Sequence, residues 1–199
     1  MGETSGNVAT ASRGGRGARK RIVAAAIDLF YRDGINATGV EKLASEASVS
    51  KRTLYQHFPS KTAVVEEYLR EIRQHVGDPI NPSADDVKRS PRARILALFE
   101  TPPSGGAMRG CPFHNAAVEA AEDMPEIQAV VHEHKRQYIA GIATLAKAAG
   151  ADNPRLLANQ LAVLFEGAAA LSTSLDDPAP WTHARKAAQT LVDAATVSR

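Results

Sequence analysis

Cysteine and aromatic residues are scarce in this sequence. Cys111 is the only cysteine, and aromatic side chains make up 5% of the 199 residues. A single cysteine excludes an intrachain disulfide, so we expect a reducing, cytoplasmic compartment. Few aromatic residues and abundant alanine disfavour a β-sandwich or barrel and favour helices.

Long apolar runs and a strong net charge are also missing. No run approaches the roughly 20 apolar residues that a membrane span needs, so we expect no membrane partner. The net charge is only +2, but it is unevenly spread. Residues 13–61 contain ten Lys and Arg against four Asp and Glu, whereas residues 62–199 contain fourteen against seventeen. The N-terminal third is therefore the part suited to binding a polyanion.

Short helices are predicted in the N-terminal third. Apolar residues at helical spacing predict a first helix from Arg16 to Asp33. A second helix is predicted to begin at Thr38, with Glu41 completing a reciprocal capping box. After a tight turn, a third helix should run from its cap, Ser50, to about Phe58. This order of elements is typical of a helix-turn-helix, whose second helix enters the major groove of DNA.

The remaining sequence predicts a longer connecting helix, a linker and a helical body. Ser60 is placed to cap the connecting helix, which should run to about residue 76. Further helices are predicted at 91–101, 111–121, 125–149, 154–175 and 181–196. We therefore predict an all-α fold with a disordered arm at 1–14, a helix-turn-helix module at 15–60, and the connecting helix plus body at 61–199.

Three sequence segments together resemble the TetR (tetracycline-repressor-like) family of transcriptional regulators. They are Leu29-Phe30-Tyr31-Arg32-Asp33-Gly34, Thr38 to Ser50, and Lys51 to Lys61. The resemblance implies a homodimeric repressor that binds double-stranded DNA and leaves a palindromic operator when a small-molecule effector binds. One departure is Ser48, where this family usually has glycine because the turn needs positive φ. Serine there should either strain the turn by about 1 kcal/mol or be accommodated by a slightly different turn.

The resemblance also implies roles for individual residues of the helix-turn-helix. Lys51 and Arg52 would contact base edges or phosphates, and Gln56 would read adenine. Tyr55, His57 and Lys61 would hold phosphates. The full set of candidate DNA-binding residues is Thr38, Ser50, Lys51, Arg52, Thr53, Tyr55, Gln56, His57 and Lys61.

In the body, the resemblance implies an effector pocket and a dimer interface. The candidate effector-lining residues mix apolar bulk with a few polar groups. They are Phe99, Met108, Phe113, His114, Asn115, Val118, Tyr138, Phe165 and Trp181. The candidate interface residues are Leu157, Leu161, Leu164, Ala168 and Leu191. For both sets the alternative is that these residues simply fill the core of one protomer.

Other functions remain open at this point. The protein could be a non-allosteric DNA-binding protein with a purely structural body. It could also be an enzyme that uses Cys111 and His114 as nucleophile and base, although no third orienting group is apparent. Cys111 is either a redox sensor or a buried inert thiol. His132 and His134 are two residues apart on a helix, so they point apart, and neither a metal site nor a cofactor is expected.

Overall fold

The computed structural model describes residues 17–75, 88–101, 109–120 and 123–196. Within these residues the chain forms nine α-helices and no β-strand, which confirms the predicted all-α fold. The helices are α1 (Ala18–Arg32), α2 (Val40–Glu46), α3 (Lys51–His57), α4 (Lys61–His75), α5 (Pro91–Ala97), α6 (Pro112–Glu119), α7 (Pro125–Ala148), α8 (Pro154–Leu175) and α9 (Ala179–Thr196). The predicted arm at residues 1–14 lies outside the described residues.

The helix-turn-helix module is built around one buried leucine from each of its three helices. Leu29, Leu43 and Leu54 are all completely buried. This core does not end at α3, because it also contains Tyr68 of α4 and Phe113 of α6. The module therefore shares its core with the connecting helix α4, with α6 and with the first half of α7.

The second helix begins two residues later than predicted. Its N-cap is Gly39, and no side chain caps it. Thr38 is instead fully buried, and its hydroxyl donates to the carbonyl oxygen of Gly34 at 2.8 Å. The predicted capping box of Thr38 and Glu41 is wrong, because the threonine hydroxyl closes the turn after α1.

The body packs α5, α7, α8 and α9 around a second core, in which Ile95, Ile142, Leu161 and Val192 are completely buried. The range of α8 matches the prediction, and the side chain of Asn153 caps it by accepting from the backbone N–H of Leu156 at 3.1 Å.

Apart from α8, the body helices differ from their predicted ranges, α6 and α7 by no more than two residues at either end. α5 stops at Ala97 rather than residue 101, because the chain changes to i→i+3 hydrogen bonds, such as Phe99 N to Leu96 O at 3.2 Å. Two prolines follow this turn and disfavour further helix. α9 begins at Ala179, two residues early, because the carboxylate of Asp177 accepts from the Ala179 N–H at 2.8 Å.

Candidate DNA interface and effector region

The third helix is held at its start by a cap and in its middle by a buried anchor. The Ser50 hydroxyl accepts a hydrogen bond from the backbone N–H of Thr53 at 3.0 Å, which confirms the predicted cap. The Ser50 and Thr53 hydroxyls also share a hydrogen bond at 2.8 Å. Leu54 is completely buried and fixes which side of α3 faces inward.

The outer side of α3 presents a set of polar and aromatic side chains to solvent. Lys51, Arg52, Tyr55, Gln56 and His57 are all exposed. These side chains can donate to phosphates or read base edges in a major groove. The structure therefore brings together the residues predicted on α3. Lys61, at the start of α4, is half-buried, and burial lowers its pKa.

Thr38 is the only predicted DNA-binding residue that the structure buries. Its side chain is completely buried and its hydroxyl already donates within the protein. In this conformation it has no surface to offer a phosphate, so it belongs to the structural frame and not to the interface.

An ion pair joins α2 to the start of α3. The ammonium group of Lys51 donates to Oε1 of Glu41. Hydrogen bonding to Lys51 lowers the pKa of Glu41, and the same bond raises the pKa of Lys51. Both side chains are well exposed, so a phosphate can compete with Glu41 for the lysine.

Two arginines of α1 link it to the end of α2 and to α4. Nε of Arg21 donates to the carbonyl oxygen of Ala47 at 3.0 Å, at the end of α2. Arg19 pairs with the buried carboxylate of Glu67 on α4 at 2.7 Å, and its guanidinium lies 5.1 Å from the ring centroid of Phe58. The hydrogen bond from Arg19 lowers the pKa of Glu67. These contacts fix the positions of α2 and α3 relative to α1 and α4.

The turn between α2 and α3 has the left-handed backbone expected from the sequence. Ser48 has φ of 51°, one of two non-glycine residues with positive φ in the described part of the chain. Its N–H donates to the carbonyl oxygen of Ser45 at 3.0 Å, and the N–H of Val49 donates to Ala44 at 2.9 Å. Ser48 therefore has the strained backbone conformation that the sequence predicts, and glycine at this position would relieve the strain.

Comparison with known proteins identifies this arrangement. Residues 22–68 match the sequence model for bacterial regulatory proteins of the TetR family, and residues 92–188 match the model for the tetracycline-repressor-like C-terminal domain. A TetR-type transcriptional regulator from Streptomyces avermitilis is 33% identical, with 90% of this chain and 98% of that chain covered and a TM-score of 0.76. The chain belongs to the TetR family.

Two named TetR-type regulators match the chain over shorter stretches. The transcriptional activator FasR of Mycolicibacterium smegmatis is 33% identical over 88 residues, which is 41% of this chain and 39% of FasR. The transcriptional regulator RutR of Escherichia coli K12 is 39% identical over 72 residues, or 35% of this chain and 34% of RutR. The matches thus span well under half of either relative.

Membership of the TetR family confirms that the protein is a DNA-binding transcriptional regulator and not an enzyme. The Cys111 and His114 enzyme hypothesis is set aside. Within the described residues, no group of three or more His, Cys, Asp or Glu side chains is placed to hold a metal ion.

Five of the predicted effector-lining residues come together in the body of this TetR protein as part of a row of rings. Contacting ring centroids lie 3.5 to 6.3 Å apart, and the row branches at Phe165, which contacts Tyr138, Trp181 and Phe99. The row includes His134, which the sequence analysis considered only as a metal ligand and rejected. The rings are those of Phe113, His134, Tyr138, Phe165, Trp181 and Phe99. The indole N–H of Trp181 donates to the Ser172 hydroxyl at 3.2 Å.

The other effector predictions fall elsewhere. Val118 is 65% exposed on the outside of α6, so its assignment to a pocket is wrong. Met108 lies outside the described residues. His114 and Asn115 line a separate, partly open cavity of about 200 Å³ between the start of α6 and α8. The amide of Asn115 is already engaged, because it donates to the Arg109 carbonyl oxygen at 2.6 Å.

Helix α6 contacts the helix-turn-helix module at both of its ends. Before its start, Nε of Arg109 donates to the Tyr31 carbonyl oxygen at 3.3 Å, and the Tyr31 hydroxyl donates to the Gly110 carbonyl oxygen at 3.4 Å. At its end, Glu119 accepts from the Asn36 N–H at 2.9 Å. These contacts fix both ends of α6 against the DNA-binding module.

The dimer-interface prediction is wrong for three of its five residues. Leu157, Leu161 and Ala168 are buried in the core of the protomer, because this stripe of α8 faces α7 and α9. Leu164 and Leu191 are half-buried at the edge of that core.

A second set of α8 residues is both apolar and exposed. Leu156, Val163, Leu171 and Leu175 are each more than half exposed, and they recur at spacings of seven, eight and four residues. By length and composition this helix is apolar enough to cross a membrane, a test that core helices of soluble proteins also pass. Exposed apolar surfaces of this kind often mark interaction sites.

Proposed function

We propose that this TetR-family regulator is a cytoplasmic homodimeric repressor that leaves a palindromic operator when a small-molecule effector binds. The observation that carries the DNA-binding part is the exposed face of α3, where Lys51, Arg52, Tyr55, Gln56 and His57 project over the buried anchor Leu54. Such a face is suited to a major groove.

Within that face, base reading and backbone binding are divided between different residues. Arg52 and Lys51 contact guanine O6 and N7 or nearby phosphates, and Gln56 reads adenine. Tyr55, His57 and Lys61 hold phosphates, with Lys61 supported by the N-terminal dipole of α4. The Ser50 and Thr53 hydroxyls stay with the cap that orients the helix.

Dimerisation is supported by the exposed apolar stripe of α8. A two-fold axis that pairs this stripe with its copy covers Leu156, Val163, Leu171 and Leu175 in both protomers. It also sets two recognition helices against half-sites one helical turn apart, about 34–36 Å. One short recognition helix reads few base pairs, so pairing doubles the information that is read.

Effector release follows from linkage between two sites. An effector that favours one arrangement of the body shifts α4 and α6, and α6 is hydrogen-bonded to the DNA-binding module at both ends. The distance between the two recognition helices then changes and operator affinity falls. Reciprocity requires the operator to weaken effector binding by the same factor.

The experiment is selection of bound duplexes from a random library with purified protein at near-physiological salt. The proposal is supported if the wild type enriches an inverted repeat and Arg52→Ala relaxes the preference at one position of each half-site. The charge-matched Arg155→Ala, on the exposed start of α8, should enrich the same repeat as the wild type. Binding without an enriched sequence contradicts specific recognition. Operator affinity that no small molecule alters favours the non-allosteric alternative. Higher transcription from the operator when the protein is present contradicts repression.

A further inference from the structure

The cavity between α6 and α8 has hydrogen-bond donors on one side and acceptors on the other. Its volume is about 200 Å³, below the roughly 300–1,000 Å³ of pockets for drug-sized ligands, so it fits a short-chain metabolite. Arg109 and His114 line the side formed by the start of α6, and Glu166, Thr173 and Ser174 line the side formed by α8. A ligand that matches both sides carries an acceptor at one end and a donor at the other.

Arg109 supplies the charged donors on the α6 side. Its Nε donates to the Tyr31 carbonyl oxygen at 3.3 Å, and among the described residues this is the only hydrogen bond of the guanidinium group. The two terminal nitrogens are therefore available to a ligand. A planar guanidinium binds a carboxylate through two parallel N–H···O bonds, which makes a carboxylate the favoured acceptor.

Two hydroxyl groups on the α8 side act as acceptors because their own hydrogens are already used. Thr173 Oγ1 donates to the Ala169 carbonyl oxygen at 3.0 Å, and Ser174 Oγ donates to the Ala170 carbonyl oxygen at 2.9 Å. Each hydroxyl oxygen keeps lone pairs that can accept a hydrogen bond from a ligand. The two sides lie close together at Gly110, where an added Cβ would be 3.0 Å from Thr173 Oγ1, so a short ligand can reach both.

The charged groups in and behind the cavity leave one positive charge for a ligand to neutralise. The ammonium group of Lys135, on α7, donates to the carboxylate of Glu166 and to Cys111 Sγ, the latter at 3.3 Å. Burial lowers the pKa of Lys135, but Cys111 and Glu166 raise it by more, so the lysine stays charged. The charges of Lys135 and Glu166 cancel, and that of Arg109 remains. A monoanion balances this charge, whereas a zwitterion does not.

We infer that this cavity binds a short-chain hydroxycarboxylate, with its carboxylate on Arg109 and its hydroxyl donating to Thr173 or Ser174, and that this binding weakens operator affinity. The inference rests on the proposed function, because it names the effector class. The link to DNA binding is Arg109 itself, since the guanidinium that holds the carboxylate already contacts α1 at Tyr31. The carbonyl oxygen of the next residue, Gly110, accepts from the Tyr31 hydroxyl at 3.4 Å. The ligand therefore lies beside both contacts that join the start of α6 to the DNA-binding module.

The first test measures ligand binding to the full-length protein by isothermal titration calorimetry. Three hydroxycarboxylates are each paired with the acid of the same chain length that lacks the hydroxyl: glycolate with acetate, lactate with propionate, and 3-hydroxybutyrate with butyrate. In at least one pair the hydroxycarboxylate should bind about three- to tenfold more tightly than its partner, the size expected for one neutral hydrogen bond. Absence of binding by all three hydroxycarboxylates, or equal affinities within every pair, would overturn the inference.

Two further ligands test the charge argument. The amide of the best hydroxycarboxylate is neutral and should bind at least about tenfold more weakly, because it loses the charge-assisted bonds to the guanidinium group. The amino acid of the same chain length is a zwitterion and should also bind more weakly than the hydroxycarboxylate. An amide or an amino acid that binds as tightly as the hydroxycarboxylate contradicts the assigned ligand class.

Variants of the cavity residues locate the site. Arg109→Gln should weaken binding of the best hydroxycarboxylate by at least about tenfold, whereas Arg155→Gln, on the exposed start of α8, should bind it like the wild type. Thr173→Val combined with Ser174→Ala should remove the preference for the hydroxyl but keep the affinity for the paired acid. Thr144→Val is the matched control, because it removes a hydroxyl that donates to the carbonyl oxygen four residues earlier on α7. Unchanged binding in Arg109→Gln would place the site elsewhere, and the ligand pairs still decide the class if a variant fails to fold.

The second test measures affinity for the selected operator with and without a saturating concentration of the best hydroxycarboxylate. With the ligand, the wild type should bind the operator at least about fivefold more weakly, the lower end of typical coupling between sites. Arg109→Gln should bind the operator equally in both conditions. A ligand that saturates the wild type without changing operator affinity overturns the inference but leaves the proposed function intact. A wild type that binds no operator contradicts the proposed function, while the titrations still test the cavity.

Discussion

Asn36 and Glu119 are joined by two hydrogen bonds that run in the same direction across 83 residues of sequence. The backbone N–H of Asn36 donates to Glu119 Oε2, and its side-chain amide donates to the Glu119 carbonyl oxygen, both at 2.9 Å. The pair fixes the end of α6 against the turn that follows α1. The carboxylate also lies over Gly34, where an added Cβ would be 2.9 Å from Glu119 Oε2.

Gly34→Ala should lower the free energy of unfolding by about 1–3 kcal/mol, because φ of 97° is strained for alanine and the methyl group meets Glu119. In the double variant with Glu119→Ala the clash disappears but the φ strain remains. The cost of Gly34→Ala should therefore be smaller in that background, yet not zero. Urea denaturation of the wild type, the two single variants and the double variant gives the coupling free energy between residues 34 and 119. A cost that does not depend on residue 119 would show that the contact is irrelevant.

Ser48→Gly should raise the free energy of unfolding by about 0.5–1 kcal/mol. Glycine adopts φ near 51° without the penalty that serine pays, and this gain exceeds the extra freedom of glycine in the unfolded chain. Ser45→Gly is the matched control, since it places glycine inside α2 at an exposed position and should lower stability by about 0.5–1 kcal/mol. Thermal melts of the three proteins test the opposite signs.

His134 should make the protein less stable as pH falls from about 6.5 to about 4. Burial, helped by the positive charges of Lys135 and Arg73, lowers its pKa from 6.5 to about 4. Between these pH values His134 is protonated in the unfolded chain but neutral in the folded chain. The contribution of His134 to the free energy of unfolding is therefore fully present above pH 6.5. It falls by up to about 3 kcal/mol as the pH drops toward 4. Its Nδ1 is buried without a hydrogen-bond partner, in keeping with a neutral ring stacked 3.5 Å from Phe113.

Denaturation curves at several pH values check this expectation. In His134→Gln the loss between pH 6.5 and 4 should shrink by about the contribution of this one group. His132→Gln, which changes an exposed histidine two residues away, should keep the wild-type slope. Identical slopes in all three proteins would show that His134 titrates normally.

Val163→Glu should convert the protein from a dimer to a monomer. Val163 is 73% exposed at the centre of the apolar stripe of α8, and a two-fold axis there would place two carboxylates together in a desolvated interface. Thr144→Glu adds the same charge at an exposed position of α7 and should leave the mass unchanged. Sedimentation or light scattering measures the mass of each variant in solution. A Val163→Glu protein that remains dimeric would place the interface elsewhere.

Lys61→Ala and Arg52→Ala should weaken DNA binding in different ways. Loss of Lys61 removes a phosphate contact, so affinity for all sequences should fall and the salt dependence should decrease by about one counterion. Loss of Arg52 should relax the preference at one operator position, costing about 1–3 kcal/mol at that base pair alone. Titrations with operator and single-substitution duplexes at several salt concentrations separate the two. Uniform loss in both variants would refute this division of roles.

The fold and the DNA-binding face were predictable because their signals are local. The cap at Ser50, the positive φ at Ser48 and the burial of Leu54 each follow from a few neighbouring residues. Thr38 was misassigned because a threonine before a helix can either cap that helix or close the preceding turn. Whether its hydroxyl donates to the Gly34 carbonyl oxygen depends on how tightly the chain turns from α1 to α2.

Long-range contacts were beyond the reach of sequence patterns. The pattern of α8 shows apolar residues on more than one side, and only the packing of α7 and α9 tells that Leu157 and Leu161 face inward while Val163 faces outward. Likewise Cys111 was paired in sequence with Arg109 and His114. Its actual partner, Lys135, is 24 residues away on another helix.

The shared core of the first four helices, α6 and α7 limits how this protein can be cut or recombined. A fragment that ends at residue 60 would keep Leu29, Phe30 and Leu54 but lose Tyr68, Phe113 and Val131, which complete the same apolar cluster. The isolated helix-turn-helix fragment would expose that apolar surface to water. A chimera that exchanges operator specificity with a relative therefore has to carry both halves of the cluster, or confine its changes to the outer face of α3.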